Sequence, residues 1–448
     1  MAHERSVAEG VGEAGRIGPL GGRAIYYGYW LIGAAFVAQF VSVGVTNYVI
    51  GAFLKPMTTD LDWSRSEFTI SRTVGQFVMA FTGFFIGAHV DRNGGRRVML
   101  AGIAILSVSL FLLSYTESLW QWVVLNGLAL TAGAALMGNL VVNVTLSKWF
   151  VEQRGRAVGF ASMGVSFAGV ALTPAMTEVI DEWGWRTAWR VLAVGAALLV
   201  VPVALLMRRA PEDFGLHPDG KSAEQVAAGL GERASLDYAT SLTRHQALRT
   251  LTFYMLVLAF GMFTVTIGVM LLQTIPFMTD AGYKRSTASL MITVASIPAL
   301  VSKPFWGHLI DRLDAKKLAS VSAALTGLAV LVITLSVREN ADDMVYFGFF
   351  LLGCGWGGMI PLQEVIWATF FGRRYLGSVR SAGLPFSLIL GAGAPLLASI
   401  YFDEVGNYDG AFFAVAALNM LSAILLLFIP QPVRGEPGTP SAVPAAAS

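Results

Sequence analysis

Twelve apolar runs, each long enough to cross a bilayer, divide this chain into two sets of six. The first set is 27–53, 68–90, 98–115, 120–147, 157–180 and 188–207; the second is 251–278, 287–310, 318–337, 344–370, 379–402 and 411–429. A helix rising about 1.5 Å per residue needs about 20 apolar residues to cross about 30 Å of hydrocarbon. In hydrocarbon a backbone must satisfy its own hydrogen bonds, which confines such a chain to helices. Only 13% of the 448 residues are charged, against about 25% in soluble domains. The predicted fold class is therefore an all-α membrane protein, about twelve transmembrane helices in two six-helix halves, 25–207 and 250–430. A polar stretch, 208–249, reads as a solvated linker with a short surface helix. Residues 1–24 read as a polar tail without a signal-peptide pattern, and the Pro- and Ala-rich 431–448 as a disordered one.

The two halves repeat one plan. GAHVDRNGGRR, from Gly87 to Arg97, is answered by GHLIDRLDAKK, from Gly307 to Lys317, with Asp91 and Asp311 offset by 311 − 91 = 220. Ser64-Arg65-Ser66 meets Lys284-Arg285-Ser286 at the same offset. The even-numbered loops collect cations: Arg92, Arg96 and Arg97; Lys148, Arg154 and Arg156; Arg208 and Arg209; Lys316 and Lys317; Arg373 and Arg374. The odd-numbered loops lean acidic, for example Asp60 and Asp62, Asp181 and Glu182, Asp342 and Asp343. The positive-inside rule then puts both termini and the linker in the cytoplasm of a multi-pass protein of the cell membrane.

Several classes are disfavoured. A net charge of +2 gives no electrostatic footprint for nucleic acid. The single cysteine, Cys354, cannot form an intrachain disulfide. Neither a metal-ligand cluster nor a catalytic constellation stands out, so no enzyme, metal or cofactor is expected.

Lys303 is a cation inside the apolar run 290–310, eight residues before Asp311 (311 − 303 = 8). Eight helical residues rise about 12 Å, against about 15 Å for half the hydrocarbon, so Lys303 lies near the midplane if Asp311 marks the surface. A charge there costs about 2.5 kcal/mol or more unless it faces the bundle interior or water. No carboxylate lies one turn away, so the counter-ion position is open to a substrate carboxylate. Pro298 and Pro304 each remove a helical hydrogen bond beside it.

These residues resemble the major facilitator superfamily. GAHVDRNGGRR is similar to its Gly-x-x-x-Asp-Arg-x-Gly-Arg-Arg signature between spans 2 and 3, and GHLIDRLDAKK to the weaker second copy. Three segments are most similar to its monocarboxylate porter and oxalate/formate group. These are YYGYWLIGAAF from Tyr26, Lys148-Trp149-Phe150 through Arg154 with Ala157, Gly159, Ala161, Gly164 and Gly169, and Ser302-Lys303-Pro304-x-x-Gly307. The resemblance implies a secondary transporter working by alternating access, with the span-8 cation binding the substrate carboxylate. The chain departs from the group in carrying Lys303 for arginine and Ala299 for the aspartate that many members place four residues earlier. One cation without that partner suits a monoanion.

The expected cargo is a small organic monocarboxylate, moved with a proton by a functional monomer in the lipid bilayer. The alternatives are an exporter of a hydrophobic drug or metabolite and a non-transporting, transporter-like sensor. Candidate substrate-binding residues are Lys303, Tyr48, Asn47, Asn143, Gln273 and Trp306, with Phe305 also able to shape the pocket. Glu364 is either the coupling proton site or a structural ion pair with the basic loop 312–317. Arg72 is expected to snorkel to the outer surface. The gate residues are Gly87, Asp91, Arg92, Arg96, Asp311 and Arg312. Asp91 is expected to accept from the helix N-terminus near 377–380, with Arg92 and Arg96 paired around it. Trp120, Trp122, Trp183, Trp185 and Trp189 are expected as interface anchors.

Overall fold

The computed structural model describes residues 16–17, 25–222, 224–225 and 232–432. The two tails predicted at 1–24 and 431–448 fall almost wholly outside them. Apart from the two-residue strand pair Arg16–Ile17 with Ile25–Tyr26, the regular elements are helices. The first six are α1 (Tyr27–Phe53), α2 (Arg65–Asn93), α3 (Arg96–Leu113), α4 (Leu119–Trp149), α5 (Arg154–Met176) and α6 (Glu178–Leu206). The second six are α7 (Leu251–Asp280), α8 (Arg285–Ile310), α9 (Ala315–Arg338), α10 (Asp342–Phe371), α11 (Leu384–Val405) and α12 (Asp409–Phe428). A short helix, Leu376–Ala382, leads into α11. Ten predicted spans fall on one of these helices to within two residues, while 157–180 runs from α5 into α6 and 379–402 from the short helix into α11; among the described residues eleven stretches are long and apolar enough to cross a membrane.

Local chemistry sets the helix ends. Ser64 and Glu67 close a capping box at the start of α2, and Asp314 accepts from the Lys316 and Lys317 amides at the start of α9. Near the start of α6 the helix is kinked at Gly184, whose φ of 78° favours glycine. Three π-helical turns interrupt the α pattern: Gly44–Tyr48 in α1, Val123–Leu130 in α4 and Ala168–Leu172 in α5. Each shifts the face presented by the residues beyond it. By contrast α8 remains helical through Pro298 and Pro304.

The lipid-facing surface follows helical periodicity. On α2, Phe77, Phe81 and Phe85 recur every four residues and are 60%, 68% and 60% exposed. The tryptophans divide differently from expectation. Trp120 and Trp183 are exposed, whereas Trp122, Trp185 and Trp189 are buried, Trp189 stacking on Phe53 at 3.7 Å. Helix packing captured these three rings before an interface could.

The linker is more than solvated chain. The Asp219 carboxylate accepts from the amides of Val151, Glu152 and Gln153, closing the α4–α5 turn. Asp237, on the linker helix Glu232–Ala239, pairs with buried Arg154 at 3.1 Å, and Glu212 pairs with Arg373 just beyond α10. The linker thus holds both sets of six helices. Several loop cations that signal topology in the sequence (Lys148, Arg154, Arg373) are buried in such pairs.

Candidate functional site: a buried lysine at the seam between the halves

On α8, Val301 and Phe305 are 67% and 62% exposed on the outer face, and Lys303, about 200° around the helix from each, is 2% exposed. It faces α5. Its Nζ donates to Ser166 Oγ, and no carboxylate among the described residues lies within ion-pair distance. A hydroxyl satisfies one of the ammonium's three donors and none of its charge.

Small residues make this approach feasible. A Cβ on Gly159 would come within 2.8 Å of the Lys303 carbonyl, and Gly155 and Gly307 lie with each other's backbone too close for any side chain. One turn further on, Asp311 accepts from the Gly155 amide at 2.7 Å and from the Arg156 amide and Nε at 3.1 Å. Burial is the larger influence on the Asp311 carboxyl and raises its pKa, while the Arg156 and Gly155 donors work against it.

The related seam repeats this design. Gly87 lies against Gly377, again leaving no room for a Cβ. Asp91 accepts from the Gly377 amide at 3.1 Å and from the Ser378 amide and hydroxyl at 2.7 and 2.8 Å, so the carboxylate sits on the helix N-terminus named from the sequence. Its cation is Lys148, at 3.0 Å; Arg92 and Arg96, expected around it, are exposed instead. Two aspartates, one from each set of helices, thus clasp a helix start of the other set, at the end that carries the basic loops. Arg312 is exposed and takes no part in the Asp311 clasp.

The remaining candidates separate. Trp306 turns away from Lys303 and donates to the Cys354 carbonyl at 2.8 Å, because its side of α8 packs on α10; Phe305 faces outward. Tyr48 packs its ring on Gly169, within the paired π turns of α1 and α5. Asn143 is buried and accepts from Gln39 Nε2 at 3.1 Å, an α1–α4 hydrogen bond. Gln273 is buried in α7. Glu364 pairs with Arg380 at 3.2 Å, not with the basic loop 312–317, because the two side chains face each other inside the second set of helices. Arg72 is half-buried and lines an open cavity with Asn47, whose Oδ1 accepts from Arg72 Nη2 at 3.5 Å.

Sequence reasoning missed Ser166, Gln39, Lys148 as the partner of Asp91, and Arg380. Ser166 carried a faint signal, lying seven residues (166 − 159 = 7) beyond Gly159, two turns along one face of the helix that meets Lys303. Among the described residues no group of three His, Cys, Asp or Glu side chains could hold a metal ion.

Comparison with known proteins agrees with this architecture. The chain is 23% identical to the oxalate:formate antiporter of Oxalobacter formigenes, over 91% of this chain and 92% of that one. It is 24% identical to monocarboxylate transporter 11 of Mus musculus, over 90% and 88%. The solved structure of the proton:xylose symporter XylE shares the fold, with a TM-score of 0.73 at 13% identity over 90% of this chain and 96% of that one. Residues 35–284 and 256–447 each match the model of the Major Facilitator Superfamily, so both sets of six helices place the chain in that family of membrane transporters.

Proposed function

We propose that this transporter moves a small organic monocarboxylate by alternating access, coupled to a proton, with Lys303 as the anion-binding residue and the basic loops in the cytoplasm. The observation that carries this reading is the state of Lys303. It is a buried ammonium on a helix at the seam between the halves, with one hydroxyl partner and no carboxylate among the described residues. An ion so placed is destabilised until an anion arrives, which makes the anion's charge part of the binding energy. Two relatives named for carboxylate transport, the oxalate:formate antiporter and monocarboxylate transporter 11, support the substrate class. A single point charge suits a monoanion, since an ammonium lacks the planar fork with which arginine grips a carboxylate in two places.

The Asp91 and Asp311 clasps support alternating access, with Gly87 and Gly307 setting the close approach and the basic end closed. Breaking them would open the site to the side where the basic loops lie.

Reconstituted uptake of a panel of short monocarboxylates tests the assignment. Lys303→Gln should weaken apparent affinity for the transported acid about 10- to 100-fold, the value of a charge-assisted hydrogen bond. Lys303→Arg should keep part of it. Near-normal affinity in Lys303→Gln would remove both the site and the reason for an anionic cargo.

A further inference from the structure

The short helix Leu376–Ala382 is held from both halves at once. By sequence it belongs to the second set, yet it packs more extensively on α2 of the first set than on α10 or α11 of its own. Gly377, Ser378 and Ser381 face α2. Asp91 holds the Gly377 and Ser378 amides, and a Cβ on Gly87 would collide with the Gly377 carbonyl and Ser381 Oγ. Arg380 lies about 100° around the helix from Ser381 and reaches α10, where its guanidinium meets Glu364 at 3.2 Å. Both side chains are buried, and the guanidinium also stands 5.4 Å from the centroid of Trp367, again on α10.

This segment is set off from its neighbours in the chain. α10 ends at Gly372 with a φ of 81°, and Pro385, in the first turn of α11, offers no N–H to the Ser381 carbonyl. The helical ladder is therefore interrupted on both sides of a seven-residue helix. A short rigid piece between two such breaks moves as a unit. Charge fixes its place from two directions, with Asp91 of the first set at its start and Glu364 of the second set at Arg380.

We propose that Arg380 is a positioning residue for the gate. Through it Glu364 holds the 376–382 helix where its amides receive Asp91, so loss of the Glu364 charge loosens the tie between the halves and opens the basic end. The two grips lie about one turn apart on one helix (380 − 377 = 3), so neither shifts without the other. Freed from Glu364, the helix either slips from Asp91 or leaves its own half together with α2. In both cases the second set no longer holds Asp91. The Asp311 clasp differs, being made directly between the end of α8 and the start of α5. Glu364 therefore governs one clasp and not the other. That a transported proton is what removes the charge rests on the function proposed above; the mechanical link does not.

Pulsed electron resonance between spin labels on Arg97→Cys and Leu313→Cys tests the link, in the full chain carrying Cys354→Ala in proteoliposomes. Both positions are exposed at the basic end, one on each half. Glu364→Gln and Arg380→Gln should each raise the ratio of open to closed molecules about ten-fold, the weight of a charge-assisted hydrogen bond. Glu364→Gln/Arg380→Met leaves no orphaned charge, so it folds even where a single variant does not. It should open the end to the same extent, because the two residues act as one unit. Asp91→Asn should open this end as well, and adding Glu364→Gln to it should change the ratio less than about two-fold. Parent-like distances in Glu364→Gln/Arg380→Met would overturn the link, leaving the pair a support of the fold. A further ten-fold opening when Glu364→Gln joins Asp91→Asn would overturn it too, since Glu364 would then act apart from the clasp. Failure of the proton reading looks different: an opened basic end in Glu364→Gln with proton-driven accumulation intact.

Discussion

Glu364, the coupling candidate named from the sequence, is one half of a buried ion pair. Its Oε1 accepts from Arg380 Nη2 at 3.2 Å, while Oε2 and Arg380 Nε are buried without partners. Glu364 stands seven residues before the end of α10 (371 − 364 = 7), about 10 Å in from the basic end. If this carboxyl carries the coupled proton, Glu364→Gln keeps the shape and loses the titration. We expect proteoliposomes bearing Glu364→Gln to lose proton-driven accumulation of the acid while retaining exchange of labelled for unlabelled substrate. The purified variant should also unfold at a lower temperature, because Arg380 loses its anion; breaking a buried pair typically costs about 3–5 kcal/mol. Retention of both accumulation and exchange would leave the pair a purely structural one.

At the level of elements, the α5–α8 and α2–α11 seams close because glycines let backbones touch. Gly155 with Gly307, and Gly87 with Gly377, leave no volume for a side chain. Gly155→Leu or Gly377→Leu should prevent closure and shift the population toward a form open at the basic end. Spin labels placed across that end should report longer distances by pulsed electron resonance, whereas Gly195→Leu, at a position with nothing within 4 Å, should leave them unchanged. An unchanged distance distribution in the seam variants would contradict this closure. The sequence made much of this legible. Long apolar runs locate helices because hydrocarbon admits little else, and the matched Asp91 and Asp311 segments located both clasps. Azimuth was not legible. Residue spacing gives depth along a helix, so Lys303 could be placed at a level, yet Ser166 opposite it could not be named. The π turns make this worse, since one extra residue rotates everything beyond it by about 100°. Arg72 was accordingly assigned to the outer surface when it lines a cavity, and Trp306 to a pocket when it packs on α10.

For the molecule as a whole, orientation is the property on which uptake or export depends. Glu224 of the linker and Asp343 at the start of α10 are both exposed and lie at opposite ends of the helices by sequence order. In a Cys354→Ala background, Asp343→Cys should react with an impermeant maleimide in intact cells, and Glu224→Cys only after the cells are broken open. The reverse pattern would invert the assigned direction. The two clasps at the basic end differ in a way that bears on how that end can separate. The Lys148–Asp91 side chains are 6% and 4% exposed, while Arg156, which holds Asp311, is 41% exposed. The Arg156 side chain is thus far more open to solvent than the Lys148–Asp91 pair. Under the alternating access proposed above, rupture would be cheapest where a freed charge is hydrated as it leaves, beside Arg156 rather than Lys148. The halves would then come apart as a peel from one edge, with the driest contact last.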